Sequence, residues 1–242
     1  DFRCWSEPEL RRKIGCWHLI MALEPTEIPG FFFPKWPYKE ALEWMNSTRQ
    51  EVLDGGQGRI GLGFHQNPVI TLGRHTDSNQ VIDEAIAEKA GVDIHYIERG
   101  GGATQHGPGQ LVIYPVVKIT SLKWSIAGFT AILEDVIKDI AHLYGIKAHN
   151  IPGRPGIYVE GKKLGAIGFH VRRGIVTHGL ALNINNDLSH FSLITPCGVV
   201  GQQVTSISAI IGKPVDESVL ARQAWSSVCR RFGLIYDDLA AC

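Results

Sequence analysis

Residues 152–185 constrain the fold more tightly than any other stretch. Three strand-like runs, 157–159, 164–171 and 176–185, follow one another with only Glu160-Gly161 and the surroundings of Gly174 to turn the chain. Turns this short join antiparallel neighbours, because a parallel pair needs a crossover of about a dozen residues. An antiparallel meander is therefore expected. Just upstream, Ile126, Phe129, Ile132, Leu133, Val136, Ile137, Ile140 and Leu143 recur at helical spacing up to Gly145. That pattern gives one long amphipathic helix, the main core helix.

The remaining segments read less sharply. Ala41, Leu42, Met45, Val52 and Leu53 predict a helix from Tyr38, stopped by Gly55-Gly56. Short strands are expected over 59–65 and 69–72 around Asn67-Pro68, then a helix over 81–90 closed by Gly91 and a strand over 92–98. A further strand is expected over 111–119. Residues 186–200 read as a loop carrying Cys197, followed by a short helix over 206–211 and a longer one over 216–232 with Asp216 as N-cap. The last two helices are expected to form a small subdomain. The first 37 residues show no clear period and are expected to be an irregular segment, with room for a short helix or strand, ahead of a catalytic domain spanning 38–242. Strands alternate irregularly with helices, so the expected class is α+β with a mixed, mainly antiparallel sheet flanked by helices.

Composition removes several functions. Lys+Arg and Asp+Glu balance at 24 each, so the chain lacks the positive field that nucleic acid needs. No apolar run approaches the roughly 20 residues of a membrane-spanning helix, so no membrane partner is expected. Five cysteines (Cys4, Cys16, Cys197, Cys229, Cys242) form no C-x-x-C pair, which fits a reduced compartment better than a disulfide scaffold. The chain opens on Asp1, which suggests a mature or trimmed form.

Residues 99–115, RGGGATQHGPGQLVIYP, set five glycines around His106. Glycine is retained where φ must be positive or where something approaches the main chain closely, which leaves a tight structural loop, a phosphate cradle, or a loop presenting N–H groups to a substrate. The stretch runs from strand to strand with no G-x-G-x-x-G ahead of a helix, so a dinucleotide site is not supported. Residues 156–163, GIYVEGKK, match the first part of a P-loop, but Lys163 stands where Ser or Thr must hold Mg²⁺ and Ile-Tyr-Val is strand. Lys163 precedes the apolar run Leu164-Gly165-Ala166-Ile167-Gly168; burial there disfavours an ammonium and makes the amine a usable proton carrier, although lysines at hairpins are usually only solvated. Cys197 lies between a stiffening Pro196 and an opening Gly198. Most free cysteines are small buried hydrophobes, but this setting also suits a thiolate nucleophile. His170, His178 and Cys197 lack metal-ligand spacing, so no metal is expected.

Taken in order, the blocks Pro68–Arg74, Arg99-Gly100-Gly101, Thr104, His106–Leu111, Tyr114-Pro115, Lys163–Gly168, His178–Asn183, Pro196-Cys197-Gly198 and Val204–Ile207 resemble the lipoyl(octanoyl) transferase family. The resemblance implies the fold of biotin and lipoate protein ligases. It also implies transfer of an octanoyl group from octanoyl-acyl carrier protein, through a cysteine thioester, to the lysine of a lipoyl domain. Acceptors would be the lipoyl domains of 2-oxoacid dehydrogenases and the glycine cleavage H protein. Carried over residue by residue, the resemblance implies three catalytic residues: the nucleophile Cys197, the acid/base Lys163 and the glycine-loop histidine His106, whose loop would close over the thioester with N–H groups facing its carbonyl oxygen. Substrate contacts fall on Arg99, Gly100, Gly101, Gly102, Ala103, Thr104 and Gly107, on Ala166, Ile167 and Gly168, and on His178, Gly179, Leu180 and Ala181. No cofactor is implied, and the cytoplasm or the mitochondrial matrix would suit the enzyme. This chain departs from the family's pattern at Gln105, where an aromatic residue is usual, and at His65-Gln66, where a Glu-His pair is common. The rival readings are an ATP-dependent lipoate or biotin ligase, which would need no Cys197, and a non-catalytic lipoyl-domain binder. Arg172-Arg173 and Arg230-Arg231 are candidates for meeting acidic carrier domains.

Overall fold

A computed structural model describes residues 27–76, 84–120, 122, 124–194, 202–236 and 238–241. Two sheets share the chain. The larger has eight strands in the order β11-β1-β2-β6-β10-β9-β8-β7, and the smaller has three in the order β4-β3-β5. The large sheet contains β1 (Gly30–Trp36), β2 (Arg59–His65), β6 (Gln110–Val116), β7 (His149–Ile151), β8 (Arg154–Val159), β9 (Lys162–Arg172), β10 (Ile175–Asn183) and β11 (Ala240–Ala241). The small sheet contains β3 (Val69–Leu72), β4 (Asp93–Tyr96) and β5 (Ala103–His106). The β8-β9-β10 meander is antiparallel, as its short turns require, and β2, β6 and β10 continue that sense. Parallel pairing is confined to β1 with β2 and β11, and to β3 with β4. The class is α+β with a mixed, mainly antiparallel sheet.

Alternation along β6 sorts the core into two layers. Leu111 and Ile113 face one side, where they join Phe129, Leu133, Val136, Ile137 and Ile140 of α3 (Ile126–Leu143), all fully buried. Ser125 caps α3 by accepting the Gly128 N–H at 3.0 Å, while the terminal Ile126 and Leu143 are exposed. Val112, Tyr114 and Val116 face the other side and pack on Ala41, Met45 and Val52 of α1 (Tyr38–Leu53). The predicted helix over 81–90 is found as α2 (Glu84–Lys89), closed by Gly91 at φ +69°; residues 81–83 lie outside the described residues.

Three expectations change. The stretch up to residue 37, set apart from the catalytic domain with room for a short strand, contributes β1 to the large sheet between β2 and β11, so the folded domain begins no later than Gly30 rather than at residue 38. Pro34 and a register shift between Phe33 and Trp36 break its alternation, and stacking of Phe33 on Trp36 (centroids 4.0 Å apart) anchors it instead. The glycine stretch, expected to be a loop, includes β5, paired antiparallel with β3. Finally, the last helices do not form a subdomain. Leu220, Ala224, Trp225, Val228 and Phe232 of α5 (Glu217–Phe232) belong to the main core beside α3. Asp139 of α3 accepts from Ser227 Oγ (2.8 Å), Arg230 Nη2 (2.8 Å) and Arg231 Nε (2.7 Å), which ties the helices together. Burial raises the pKa of the Asp139 carboxyl, but bonds from Arg231, Arg230 and Ser227 outweigh it and hold the group well below the usual carboxylate range. Asp216 caps α5 as expected, accepting the Val219 N–H at 3.0 Å. The remaining helix is α4 (Ile207–Ile211), capped by Ser206.

Candidate active site

Where the small sheet meets the large one, residues of both line a cavity. Ile97, Arg99, Gly101, Thr104 and His106 come from the small sheet and its loop; Tyr114, Ala166 to Gly168 and His178 to Ala181 come from the large sheet, with Tyr38 of α1 closing one side. The space is about 480 Å³ including its open mouth. A second chamber of about 310 Å³ is lined by Gln110, Lys163, Gly165, Asn183, Phe191 and Val204, and shares Thr104, Ala166 and Ala181 with the first. The two chambers are thus adjacent, with these three residues common to both, and together form the candidate cleft. Eleven of the substrate and loop positions singled out from the sequence line its larger chamber, and Lys163 lines the other. Gly100, Gly102, Ala103 and Gly107 do not line it. Gly100 donates to Phe169 O (3.0 Å), Gly102 O accepts from Gly73 N (3.4 Å), and Ala103 is core. Cys197 lies outside the described residues, as do Cys4, Cys16 and Cys242; Cys229 is buried on α5, in the core.

Lys163 is the second residue of β9 and is buried, 6% exposed. Its stem runs past Gly156, where φ is +115° and a Cβ would stand 2.7 Å from Lys163 Cε, so only glycine leaves the space. The ammonium end lies 5.7 Å from the centre of the Tyr158 ring. The main chain of Lys163 is fixed from the far side of residues 195–201. Its N–H donates to Gln203 O (2.8 Å), and its carbonyl accepts from Thr205 N (2.9 Å), which makes a short parallel bridge with Val204.

A chain of hydrogen bonds links this bridge to the glycine stretch. Asn183 Nδ2 donates to Thr205 O (2.9 Å), and Asn183 Oδ1 accepts from Gln110 Nε2 (2.8 Å), its partner across β10 and β6. Gln110 Nε2 also donates to the Gln105 carbonyl (3.2 Å), which fixes its amide; Gln110 Oε1 must then accept from His106 Nδ1 (2.8 Å). His106 Nε2 is left as an acceptor facing Thr71 Oγ1 at 3.5 Å, and that hydroxyl itself accepts from Arg99 Nε (3.2 Å) and Nη2 (2.9 Å). The tautomer of His106 is therefore set by its neighbours. His65, left out of the candidate set, donates Nδ1–H to Trp36 O (2.8 Å) and accepts from the Tyr114 hydroxyl (2.9 Å).

Burial keeps all three histidines neutral. It lowers His65 from 6.5 to about 4 against the bond to Trp36. Burial, then Arg99, His170 and Arg49, lower His178 to about 3, and burial with His65 holds His106 well below 6.5. Unfolded histidines bind protons from about pH 6.5 downward while these do not, so their contribution to stability is complete above 6.5 and is lost as pH falls toward the folded values. We expect the thermal midpoint to fall between pH 6.5 and 5, ahead of the carboxylates. The slope per histidine approaches about 1.4 kcal/mol per pH unit. A flat stability curve across that window would contradict the neutral assignment.

Gln110, Asn183, Tyr38, Tyr114, Phe191 and Val204 were not among the residues given a site role from the sequence. The available signal was Gln110 and Asn183, lone amides at the ends of strands that are buried along their whole length. Among the described residues no group of three or more His, Cys, Asp or Glu could hold a metal, and His170 instead faces Glu98 at 3.4 Å.

Known proteins resemble this chain in both sequence and fold. The family model of the lipoyl protein ligase A/B catalytic domain matches residues 37–225. An octanoyltransferase of Geobacter metallireducens is 40% identical over 204 residues, covering 84% of this chain and 91% of that protein. A mitochondrial octanoyltransferase of Arabidopsis thaliana is 36% identical over 181 residues, 74% of this chain and 76% of its own. Among solved structures, a lipoate-protein ligase A bound with ATP shares the fold, with a TM-score of 0.72 at 14% identity over 90% of both chains. With a family model over residues 37–225 and relatives of this identity and coverage, the chain belongs to the lipoyl protein ligase A/B catalytic-domain family and is an acyltransferase of its octanoyltransferase branch.

Proposed function

We propose that this enzyme takes an octanoyl group from octanoyl-acyl carrier protein, holds it as a thioester on Cys197, and passes it to the lysine amine of a lipoyl domain. The observation that carries this reading concerns the two sides of residues 195–201. Phe191 before them and Val204 after them line the same chamber as Lys163, and Gln203 and Thr205 are hydrogen-bonded to the Lys163 main chain. These described residues on either side, not Cys197 itself, support pairing the cysteine with Lys163, the one lysine that lines the cleft among the described residues.

The Lys163 amine takes the Cys197 thiol proton, the thiolate attacks the octanoyl carbonyl, and the proton passes to the departing phosphopantetheine thiol. The acceptor amine then attacks the enzyme thioester; Lys163 takes its proton as the amide forms and returns one to the Cys197 sulfur. The incoming thioester is already activated, so no nucleotide enters the balance. His106, neutral and with both ring nitrogens facing partners, acts as a fixed wall of the cleft in contact with the acyl chain rather than as a proton carrier. Burying about seven methylenes at about 0.8 kcal/mol each supplies roughly 5 kcal/mol of binding.

The test is a reaction of the protein with octanoyl-carrier protein and a lipoyl domain in the absence of ATP. Octanoylated lipoyl domain is the expected product. Octanoylation that requires ATP and proceeds from free octanoate would overturn the reading in favour of a ligase.

A further inference from the structure

Two arginine pairs stand out in the sequence, and the fold treats them differently. Arg230 and Arg231 are engaged on α5 by Asp139, and Arg231 also by Asp135 at 3.0 Å. Arg172 and Arg173 instead join Arg49 of α1 around one surface cleft, with Gln50 and Leu53 between them. Among the described residues, no carboxylate lies within ion-pair distance of any of these three. Three cations held together without an acid are a repulsive arrangement that an anionic partner would relieve.

The backbone adds a second sign. Arg172 opposes Ile175, so β9 and β10 are joined by a two-residue turn of Arg173 and Gly174 at φ +50° and +76°. Two left-handed residues in such a hairpin favour Asn-Gly or Gly-Gly, and an arginine in the first place is disfavoured. The fold nonetheless keeps a cation at this tip. The cluster is also tied to the cleft of the active site. By strand alternation Arg172 shares a face with Ala166 and Gly168, which line it, and Arg49 is near enough to act on His178, after burial, Arg99 and His170.

We propose that Arg49, Arg172 and Arg173 dock an acidic face of the thioester-bearing carrier protein. This rests on the donor assigned under Proposed function. Length decides between donor and acceptor. Nine residues of β9 at about 3.3 Å each set Arg172 about 30 Å from Lys163. A lysine side chain spans only about 6 Å, so an acceptor domain must sit directly over the cleft. A phosphopantetheine arm spans about 15 Å from sulfur to phosphate, and a domain of about 100 residues adds a radius of about 13 Å. The donor's surface thus reaches the arginine cluster while its thioester is at Lys163.

The experiment compares two donors, octanoyl-carrier protein and octanoyl-pantetheine, each with a lipoyl domain as acceptor. The variants are Arg172→Ala with Arg173→Asn, a pair that suits the turn, and separately Arg49→Ala. With the carrier-protein donor, kcat/KM should fall about tenfold, mainly through KM, and its salt dependence should flatten. With octanoyl-pantetheine these variants should match the parent, and a further variant, Arg172→Lys with Arg173→Lys, should keep most of the carrier-protein activity. Equal losses with both donors, or no loss with either, overturn the docking site while leaving the transferase reading intact. A parent enzyme inert with both donors overturns the transferase reading itself, and the docking site with it.

Discussion

Replacing Cys197 by serine is expected to abolish octanoyl transfer, with a loss of at least about a thousandfold, and to leave no acyl group on the protein. The reason is nucleophilicity. A thiol gives up its proton to an amine near neutral pH, whereas a serine hydroxyl in the same place is a far weaker acid and needs a base built for it. The two side chains differ by one atom, so the fold should survive, and an unchanged thermal midpoint is the control. Transfer at more than a few per cent of the parent rate would mean that acyl transfer proceeds directly from donor to acceptor without a covalent stage.

Replacing Lys163 by alanine is expected to slow transfer by about a hundredfold to ten-thousandfold, the range over which a positioned general acid/base contributes. This substitution is unusually clean here. The contacts that pin Gln203 and Thr205 come from the main-chain N–H and carbonyl of Lys163, which alanine keeps, so the amine is lost without releasing the segment beyond residue 201. Both half-reactions should slow, measured as thiol release from octanoyl-carrier protein and as deacylation of preformed acyl-enzyme by the lipoyl domain. Arginine at the same position should not restore the rate, because a guanidinium does not give up its proton and cannot act as the base. A variant in which only one half-reaction slows would confine Lys163 to that half.

How much of this was legible in the sequence depended on the range of the interaction that fixed each element. The β8-β9-β10 meander and α3 were readable because two-residue turns and an 18-residue apolar period are local signals. The place of β1 in the sheet was not, because Pro34 breaks its alternation and its Trp36 is held by Trp44 and by Tyr114, the latter 78 positions away. The docking of α5 was equally hidden. Its own amphipathic pattern is plain, but the partner that places it is Asp139, 92 positions before Arg231.

The site divides in the same way. Lys163, with the small residues after it, and the glycines around His106 could be singled out because their residue types are unusual for their surroundings. Gly109 shows why such residues are needed: at φ +76° its Cβ would stand 2.8 Å from Asn186 N, where the loop packs against the end of β10. What the sequence could not supply was the wiring. That His106 is held as one neutral tautomer follows from Gln110, whose amide is oriented by Gln105 and Asn183, and Asn183 reaches in turn to Thr205 beside Lys163. No pattern in the chain announces a hydrogen-bonded path made by four separate segments.

The central claim is that a covalent octanoyl-enzyme on Cys197 lies between donor and acceptor. Its most direct test is the intact mass of the protein, followed by peptide mapping, after brief exposure to octanoyl-carrier protein alone. The peptide bearing Cys197 is expected to gain one octanoyl group and to lose it again when a lipoyl domain is added. An unmodified protein that still transfers, or an octanoyl group on any other residue that passes to the acceptor, would contradict it.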